Sequence, residues 1–522
     1  MRRSQTKGRL LLALILVVLP FRGAPAMQGQ KPVSPAKIAS PLSTAKAQME
    51  RGDLDASEKT LWTILSSEPN EQEALTMLGI VRGREGRYPE AEALFRRVLQ
   101  LNSKSVVASR GLAAALLAQD RAEDAIRQYQ HTIQLSPEDS NLKIEVAKLE
   151  LQRGNFAGAL STLDPLKPGH FPAAAVPLKA ASLLGMDRRP EAERLIPTVQ
   201  GSPGSALDLA RVFVDANDPG AALKTLRLLN PVPKSVSAQF DYLKGRALRQ
   251  QGDISAAMMS FRKGVSADPT SVETLVAMAE VFATEKKHGD SLAVLEQARA
   301  VSPDSREVLR HLIVEAMEAG QNNRGLEAAQ DLQRKSSELD DRYLVATVLL
   351  QQKQFLPATH ILEDYVERRP GEAKAYLGLG MAYLNVLRYA DARQALEHAL
   401  QINPNLAEGQ YQLGVVAGQQ GNQEEAIQHW QKAVALKPDH AQALFFLGTM
   451  HLESGQLADA ESAFQRALAA DPSNMKTEYD LALVLNKLGK ADEAKQHFER
   501  YRNMQEAEHA TGGNPPSGPD HP

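Results

Sequence analysis

The stretch LGLGMAYLNVLRYADARQALEHALQINP, residues 377–404, decides the fold. It is helical by every local cue, rich in Ala, Leu, Glu, Gln and Arg. Two small residues, Gly380 and Ala392, stand where a helix normally presents bulk. The question is why a chain leaves holes at these two places, and whether it does so elsewhere.

It does so with a fixed step. With Ala373 as position 1 of a unit, Gly380 is position 8 and Ala392 position 20, and the following units start at Ala407, Ala441 and Met475, 34 residues apart. Upstream units start near residues 38, 72, 106, 140, 174, 203, 238, 272, 306 and 339, about fourteen units in all. Position 20 is small in every unit once the fifth is shifted by one residue to Ala192, as in Ser57, Ala91, Ala125, Ala257, Gly325 and Ala426. At position 8 the one bulky residue is Ile313. Position 24 is usually large: Phe95, Tyr129, Phe261, Leu396, Trp430, Phe464 and Phe498. Proline closes eight units at position 32, among them Pro69, Pro137, Pro404 and Pro472.

This pattern resembles the tetratricopeptide repeat, a 34-residue helix–turn–helix unit with small residues at positions 8 and 20 and proline near its end. The resemblance covers about residues 38–505. It implies an all-α fold, a right-handed α-solenoid of about fourteen such units, with the first helix (A) of each unit lining a concave inner face. Small residues at 8 and 20 then let helices A and B approach closely, and stacked units bury one continuous core. Turns are expected at Gly86, Gly154, Gly252, Gly421, Gly455 and Gly489.

The array is uneven. Pro165, Pro168, Pro172, Pro177, Pro190, Pro197 and Pro203 crowd one segment, and Asn230–Ser235 adds another proline-rich break. Residues 38–164 are therefore read as N-terminal units, 165–237 as irregular units and 238–505 as C-terminal units. The irregular segment is either a bend in the solenoid or ordinary loop variation. Residues 506–522, rich in Gly and Pro, are expected to be a disordered tail.

The N-terminus follows a different pattern. Arg2, Arg3, Lys7 and Arg9 precede the apolar run Leu10–Phe21, and Ala24–Ala26 offers a small-residue cleavage site. Residues 1–26 read as a secretory signal, followed by a flexible leader over 27–37. A run this short does not span a bilayer, which takes about 20 residues. The expected mature protein is exported, periplasmic or secreted, and has no transmembrane segment.

Composition narrows the chemistry. The chain of 522 residues has a net charge of −3 and no cysteine. Disulfides, thiolate metal sites and a cysteine nucleophile are excluded, and no basic excess points to nucleic acid. The twelve histidines are scattered, and no HExxH pair, phosphate loop or nucleophile elbow occurs. No catalytic residue, metal or cofactor is expected.

What remains is the groove. By the resemblance, helix-A positions 2, 5, 9, 12 and 13 face the concave side. Position 5 of the last five units holds Tyr343, Leu377, Tyr411, Phe445 and Tyr479; position 9 of the last four holds Met381, Val415, Thr449 and Leu483. Asn385, Gln419, Glu453, Asn486 and Lys487 add polar groups beside them. These residues are the candidate site for a protein or extended-peptide partner. The competing reading packs the position-5 aromatics between adjacent A helices. A second function, a glycan- or polymer-binding accessory of an export machine, stays open.

Overall fold

The computed structural model describes residues 41–164 and 172–510. The expected signal and leader lie outside the described residues. Among the described residues there are 28 α-helices, three 3-10 turns and no strand. Consecutive helices pair into fourteen antiparallel hairpins, so the fold is an all-α solenoid of repeat units. The chain divides into two compact units, residues 1–269 and 270–522.

In the C-terminal unit the A helices Val272–Thr284, Arg306–Glu318, Leu339–Gln351, Ala373–Asn385, Ala407–Gln419, Ala441–Glu453 and Met475–Lys487 begin at the repeat starts. Each is thirteen residues long, and most are followed by a fourteen-residue B helix such as Tyr389–Ile402 or Gln423–Leu436. Several A helices are started by a side chain that accepts a hydrogen bond from the N–H three residues on. Ser305 does this for Val308 and Asn474 for Thr477.

The A-to-B turn has one conformational requirement. Position 15 takes a positive φ, as at Gly421 (81°) and Gly455 (74°). The chain then folds back, and the next N–H closes onto the end of helix A, as Arg388 donates to the Tyr383 carbonyl at 2.9 Å. Glycine meets this requirement without strain. Elsewhere the same place is filled by Asp120, Asn217, Lys286, Lys353 and Leu387, all with positive φ. Sequence reading for glycine alone misses these turns.

The notches receive the large residues at position 24. A Cβ placed on Gly380 would lie 2.6 Å from Leu396 Cγ and 3.3 Å from the Ala392 carbonyl oxygen. On Gly448 it would lie 2.7 Å from the Phe464 ring, and on Gly79 2.8 Å from the Phe95 ring. Position 8 is empty so that position 24 of the same unit can enter, and position 20 is small so that the backbones can close on each other. Ile313 fits the same rule in reverse: its unit carries Ala329 at position 24, and both are fully buried. The pair conserves volume, as close packing requires.

In the N-terminal unit the regular hairpins run from Pro41 to Leu163 and again from Ser237 to Ala267. Between them Val176–Gly185, Arg189–Glu193 and Pro219–Leu226 are short, while Pro203–Asp215 keeps the full thirteen residues of an A helix. The prolines do not break these helices. Pro177, Pro190, Pro203 and Pro219 sit in first turns, where an amide N–H has no intrahelical acceptor anyway. This segment keeps its own core around Phe213, Leu207, Leu209 and Ile196. At the other end, helix Ala491–Ala510 runs past the expected array boundary at 505. Residues 506–510, EAEHA, are mostly helix formers and the first glycine of the tail comes only at Gly512.

Candidate functional site

In the regular A helices of the C-terminal unit, one face packs on helix B of the same unit and another on helix B of the unit before. In helix Ala407–Gln419 positions 3, 6, 7, 8, 10 and 11 are buried: Gly409, Gln412, Leu413, Gly414, Val416 and Ala417. Positions 2, 5, 9, 12 and 13 hold Glu408, Tyr411, Val415, Gly418 and Gln419, all half-buried or exposed, and the same positions of its neighbours continue this A-helix wall.

The candidate residues fall on this wall but differ in how far they reach out of it. Tyr343 is half-buried against Tyr365, with ring centroids 4.9 Å apart. Tyr411 packs on His440 at 5.0 Å and on Phe446 at 6.1 Å, and burial pushes its hydroxyl pKa up to about 12. Phe445 is buried at 8% exposure between Phe446 and Phe464, with the Lys476 ammonium 5.4 Å over its ring. Leu377 is half-buried. Tyr479 is the most open, 39% exposed, tilted against Phe498 and Tyr501. The position-5 aromatics therefore divide: Tyr343 and Phe445 meet rings of their own hairpins, Tyr411 packs on rings of the following unit, and Tyr479 is the most exposed. The sequence alone does not separate these cases, because most of the contacting rings come from a different helix.

Position 9 is more uniform. Met381, Val415, Thr449 and Leu483 are all half-buried, as is Thr347. Sequence reading did not single out position 12 as part of the apolar stripe. There Met317, Leu350, Leu384 and Leu452 are half-buried and Gly418 is exposed. Positions 9 and 12 together give an apolar stripe from Val314 to Leu483 with no charged residue in it. The signal was present in the sequence as uncharged residues three apart on one helix face. Upstream, uncharged residues at these positions are interrupted by Lys46, Lys148, Arg211, Arg246, Arg249 and Glu280.

Alongside the stripe, position 13 supplies exposed polar ends. Gln351, Asn385 and Gln419 follow one another in consecutive units. Asn385 Nδ2 donates to the Met381 carbonyl at 2.8 Å, which leaves its side-chain oxygen open. Gln351 and Gln419 engage no partner among the described residues.

Ion pairs hold the wall in place from below. Buried Asp341 receives Arg306 at 2.7 Å and Arg310 at 3.3 Å from the preceding A helix. The Tyr383 hydroxyl donates to Glu363 at 2.7 Å while the Arg388 guanidinium lies 4.3 Å over its ring. Glu408 bonds with His440 and Gln412. Burial alone would raise its carboxyl, but these hydrogen bonds outweigh it and hold the carboxyl below its usual range.

Among the described residues no His, Asp and Glu cluster is placed to hold a metal ion, and no helix is long and apolar enough to cross a membrane. The wall offers shape, apolar surface and amides: the means to bind a chain.

Comparison with known proteins follows the same lines. Three tetratricopeptide-repeat family models match: one over residues 42–106, 207–272 and 411–475, a second over 84–132 and 451–510, a third over 373–406. The chain is similar to cellulose synthase operon protein C of Pseudomonas fluorescens (strain SBW25), 22% identical over 275 residues, 51% of this chain and 20% of that protein. It is also similar to the human protein O-mannosyl-transferase TMTC1, 23% identical over 241 residues, 45% of this chain and 23% of that one. The matched regions thus span about a fifth of each relative's length. Among solved structures, the APC/C hetero-tetramer Cut9–Hcn1 aligns over 90% of this chain and 94% of that one, at 14% identity and a TM-score of 0.41. YrrB, described as a TPR protein with an unusual peptide-binding site, aligns over 35% of this chain and 95% of its own, at 20% identity and a TM-score of 0.32. The family models together cover more than half of the 522 residues: the chain belongs to the tetratricopeptide-repeat family.

Proposed function

We propose that the chain is an exported, non-catalytic scaffold that holds a protein or an extended peptide on the A-helix wall of its C-terminal unit. It works in the bacterial periplasm or outside the cell, in envelope assembly, secretion or polysaccharide export. The observation that carries the binding role is the uncharged, half-exposed stripe at positions 9 and 12, flanked by open amides. Apolar surface of this kind, bordered by polar groups, marks a contact site. Export is supported by the basic start, apolar run and Ala24–Ala26 cleavage site of the sequence. The setting is supported by the likeness to cellulose synthase operon protein C over about half of this chain.

The test is partner capture from a bacterial envelope fraction with the purified mature protein, read by mass spectrometry. Met381→Glu with Val415→Glu should abolish capture while the circular dichroism spectrum stays helical. Retention of the same partners by this variant would sink the proposal.

A second reading, a polymer-binding accessory, is favoured by the half-exposed Trp62 on helix Leu54–Ser67, since an open indole is a platform for sugar rings. Co-sedimentation with cellulose, lost in Trp62→Ala, would support it over the first.

A further inference from the structure

Independently of the binding role proposed above, we infer that one edge of the C-terminal unit rests on an anionic phospholipid surface. The edge is the one on which A helices end and B helices begin, and the contact is made by Leu356 and Leu387 with the cations beside them.

The two leucines are the most exposed large apolar side chains among the described residues, at 61% and 69%. Leu356 lies in the first turn of helix Phe355–Arg368, and Leu387 lies in the A-to-B turn of the next unit. That turn is pinned onto the same helix, where Arg388 Nη1 donates to Glu363 Oε1 at 3.2 Å. Glu363 stands two helical turns along from Leu356 on one face. The two leucines therefore project from adjoining points of the same edge, with Phe355 and Tyr389 half-buried behind them.

The backbone adds a second observation. Glycine takes the positive φ of these turns without strain at Gly421, Gly455 and Gly489, and Asp120, Asp187 and Asn217 belong to the residue types that tolerate it. Lys353 and Leu387, in consecutive units, do neither, at φ of 55° and 63°. Both side chains are exposed. A strained residue whose side chain faces solvent points to a contact outside the chain.

The third observation is charge. The turns over 320–324, 352–357 and 386–391 hold Arg324, Lys353, Arg388 and Asp391 as their charged groups. Arg388 and Asp391 bond with each other at 2.7 Å. Arg324 and Lys353 are exposed and meet no carboxylate among the described residues. This stretch of the edge is apolar with an excess of positive charge, and it ends at the following turn, where Glu424 is exposed.

These features select the occupant. A second copy would bring the same unmatched cations against this one. A rigid protein partner needs two hollows matched to two projecting leucines. A bilayer surface needs neither, because its headgroup layer yields to apolar side chains and its phosphates meet the cations. With only two leucines inserted, the attachment is reversible and no stronger than that of a single acyl chain.

The experiment uses the mature chain, residues 27–522, because the apolar run Leu10–Phe21 would itself enter lipid. Co-sedimentation is measured with vesicles of phosphatidylethanolamine and phosphatidylglycerol, and with vesicles of phosphatidylcholine alone. The chain should bind the anionic vesicles at least about tenfold better than phosphatidylcholine, and about 0.5 M salt should remove the difference. Leu356→Gln with Leu387→Gln should lower binding by at least about tenfold. Arg324→Gln with Lys353→Gln should lower it by about tenfold on the anionic vesicles alone. Leu387→Gly relaxes the turn, so it should bind several-fold more weakly while melting no lower than the parent. No binding to anionic vesicles, no preference for anionic lipid, or indifference to the leucine pair overturns the inference. Dimerisation in sedimentation velocity that the leucine pair abolishes, without vesicle binding, overturns it too and assigns the edge to a second copy.

Discussion

The indole of Trp430 occupies the space that a side chain at position 414 would need. A Cβ on Gly414 would fall into contact with Trp430 Nε1 and lie 2.6 Å from Cδ1. The ring is buried, stacked on Phe446 at 4.8 Å, and its N–H has no hydrogen-bond partner among the described residues. The glycine, not a hydrogen bond, is what seats it.

Two glycine-to-alanine substitutions should therefore have opposite signs. Gly414→Ala gains helix propensity of about 1 kcal/mol but must displace the indole, and a net loss of about 1–3 kcal/mol is expected from overpacking. Gly83→Ala, in helix Gln72–Arg84, meets nothing within 4 Å and should gain about 0.5–1 kcal/mol. Chemical denaturation measures both, and tryptophan fluorescence reports the displaced ring in the first. A stabilised Gly414→Ala would show that the notch is not filled as described.

Leu387 sits in the A-to-B turn with φ of 63° and 69% exposure. A left-handed conformation costs a residue with a Cβ about 1–2 kcal/mol, and glycine avoids it. Leu387→Gly should raise stability by about 1 kcal/mol, partly offset by the greater freedom of glycine in the unfolded chain. Unchanged or lower thermal stability would mean that the leucine side chain makes a contact worth more than the strain.

Asp341 is 1% exposed, whereas Arg306 and Arg310, which hold it, are nearly half exposed. The two sides of this contact are not equivalent. Replacing both arginines by methionine strands a buried carboxylate and should cost about 2–4 kcal/mol. Asp341→Ala leaves two arginines that water can reach and should cost less. Thermal melts of the two variants side by side would refute the argument if Asp341→Ala were the more damaging.

Acid should loosen the unit around His429. Burial disfavours its charged form, Lys432 and Arg393 add to this, Glu425 opposes, and the net effect lowers its pKa below the usual 6.5. A group whose folded pKa is depressed in this way stays unprotonated in the folded chain while the unfolded chain takes up a proton. Its contribution is complete above pH 6.5 and is lost as pH falls through that value toward the folded pKa. Protection factors in helix Gln423–Leu436, corrected for the intrinsic pH dependence of amide exchange, should fall as pH drops below 6.5. His429→Gln, which keeps a polar group near Gln410, should flatten this dependence.

The repeat frame was legible because it follows from volume. A small residue at 8 and a large one at 24 recur wherever two helices must close, and even the exception, Ile313 with Ala329, can be read from the chain. Less legible were the turns at Lys286, Lys353 and Leu387, where the surrounding packing imposes a backbone angle that side-chain type does not announce. The wall was legible as a helix face, but its depth was not. Phe445 and Tyr479 share a repeat position, yet one is buried and the other open. Phe445 has Phe464, Phe446 and Lys476 around it, while Tyr479 lies in the last hairpin described, with no further A helix beside it. Repeat position alone does not encode such neighbours.

The seating of Leu396 against Gly380 has the same form as that of Phe464 against Gly448, two units along. Each such joint is complete within its own hairpin, and the surfaces on either side are near copies of one another. A genetic duplication or loss of one whole 34-residue module, such as 373–406, would therefore rejoin surfaces that already match. This architecture lets evolution adjust the reach of the molecule in whole steps without inventing a new interface each time.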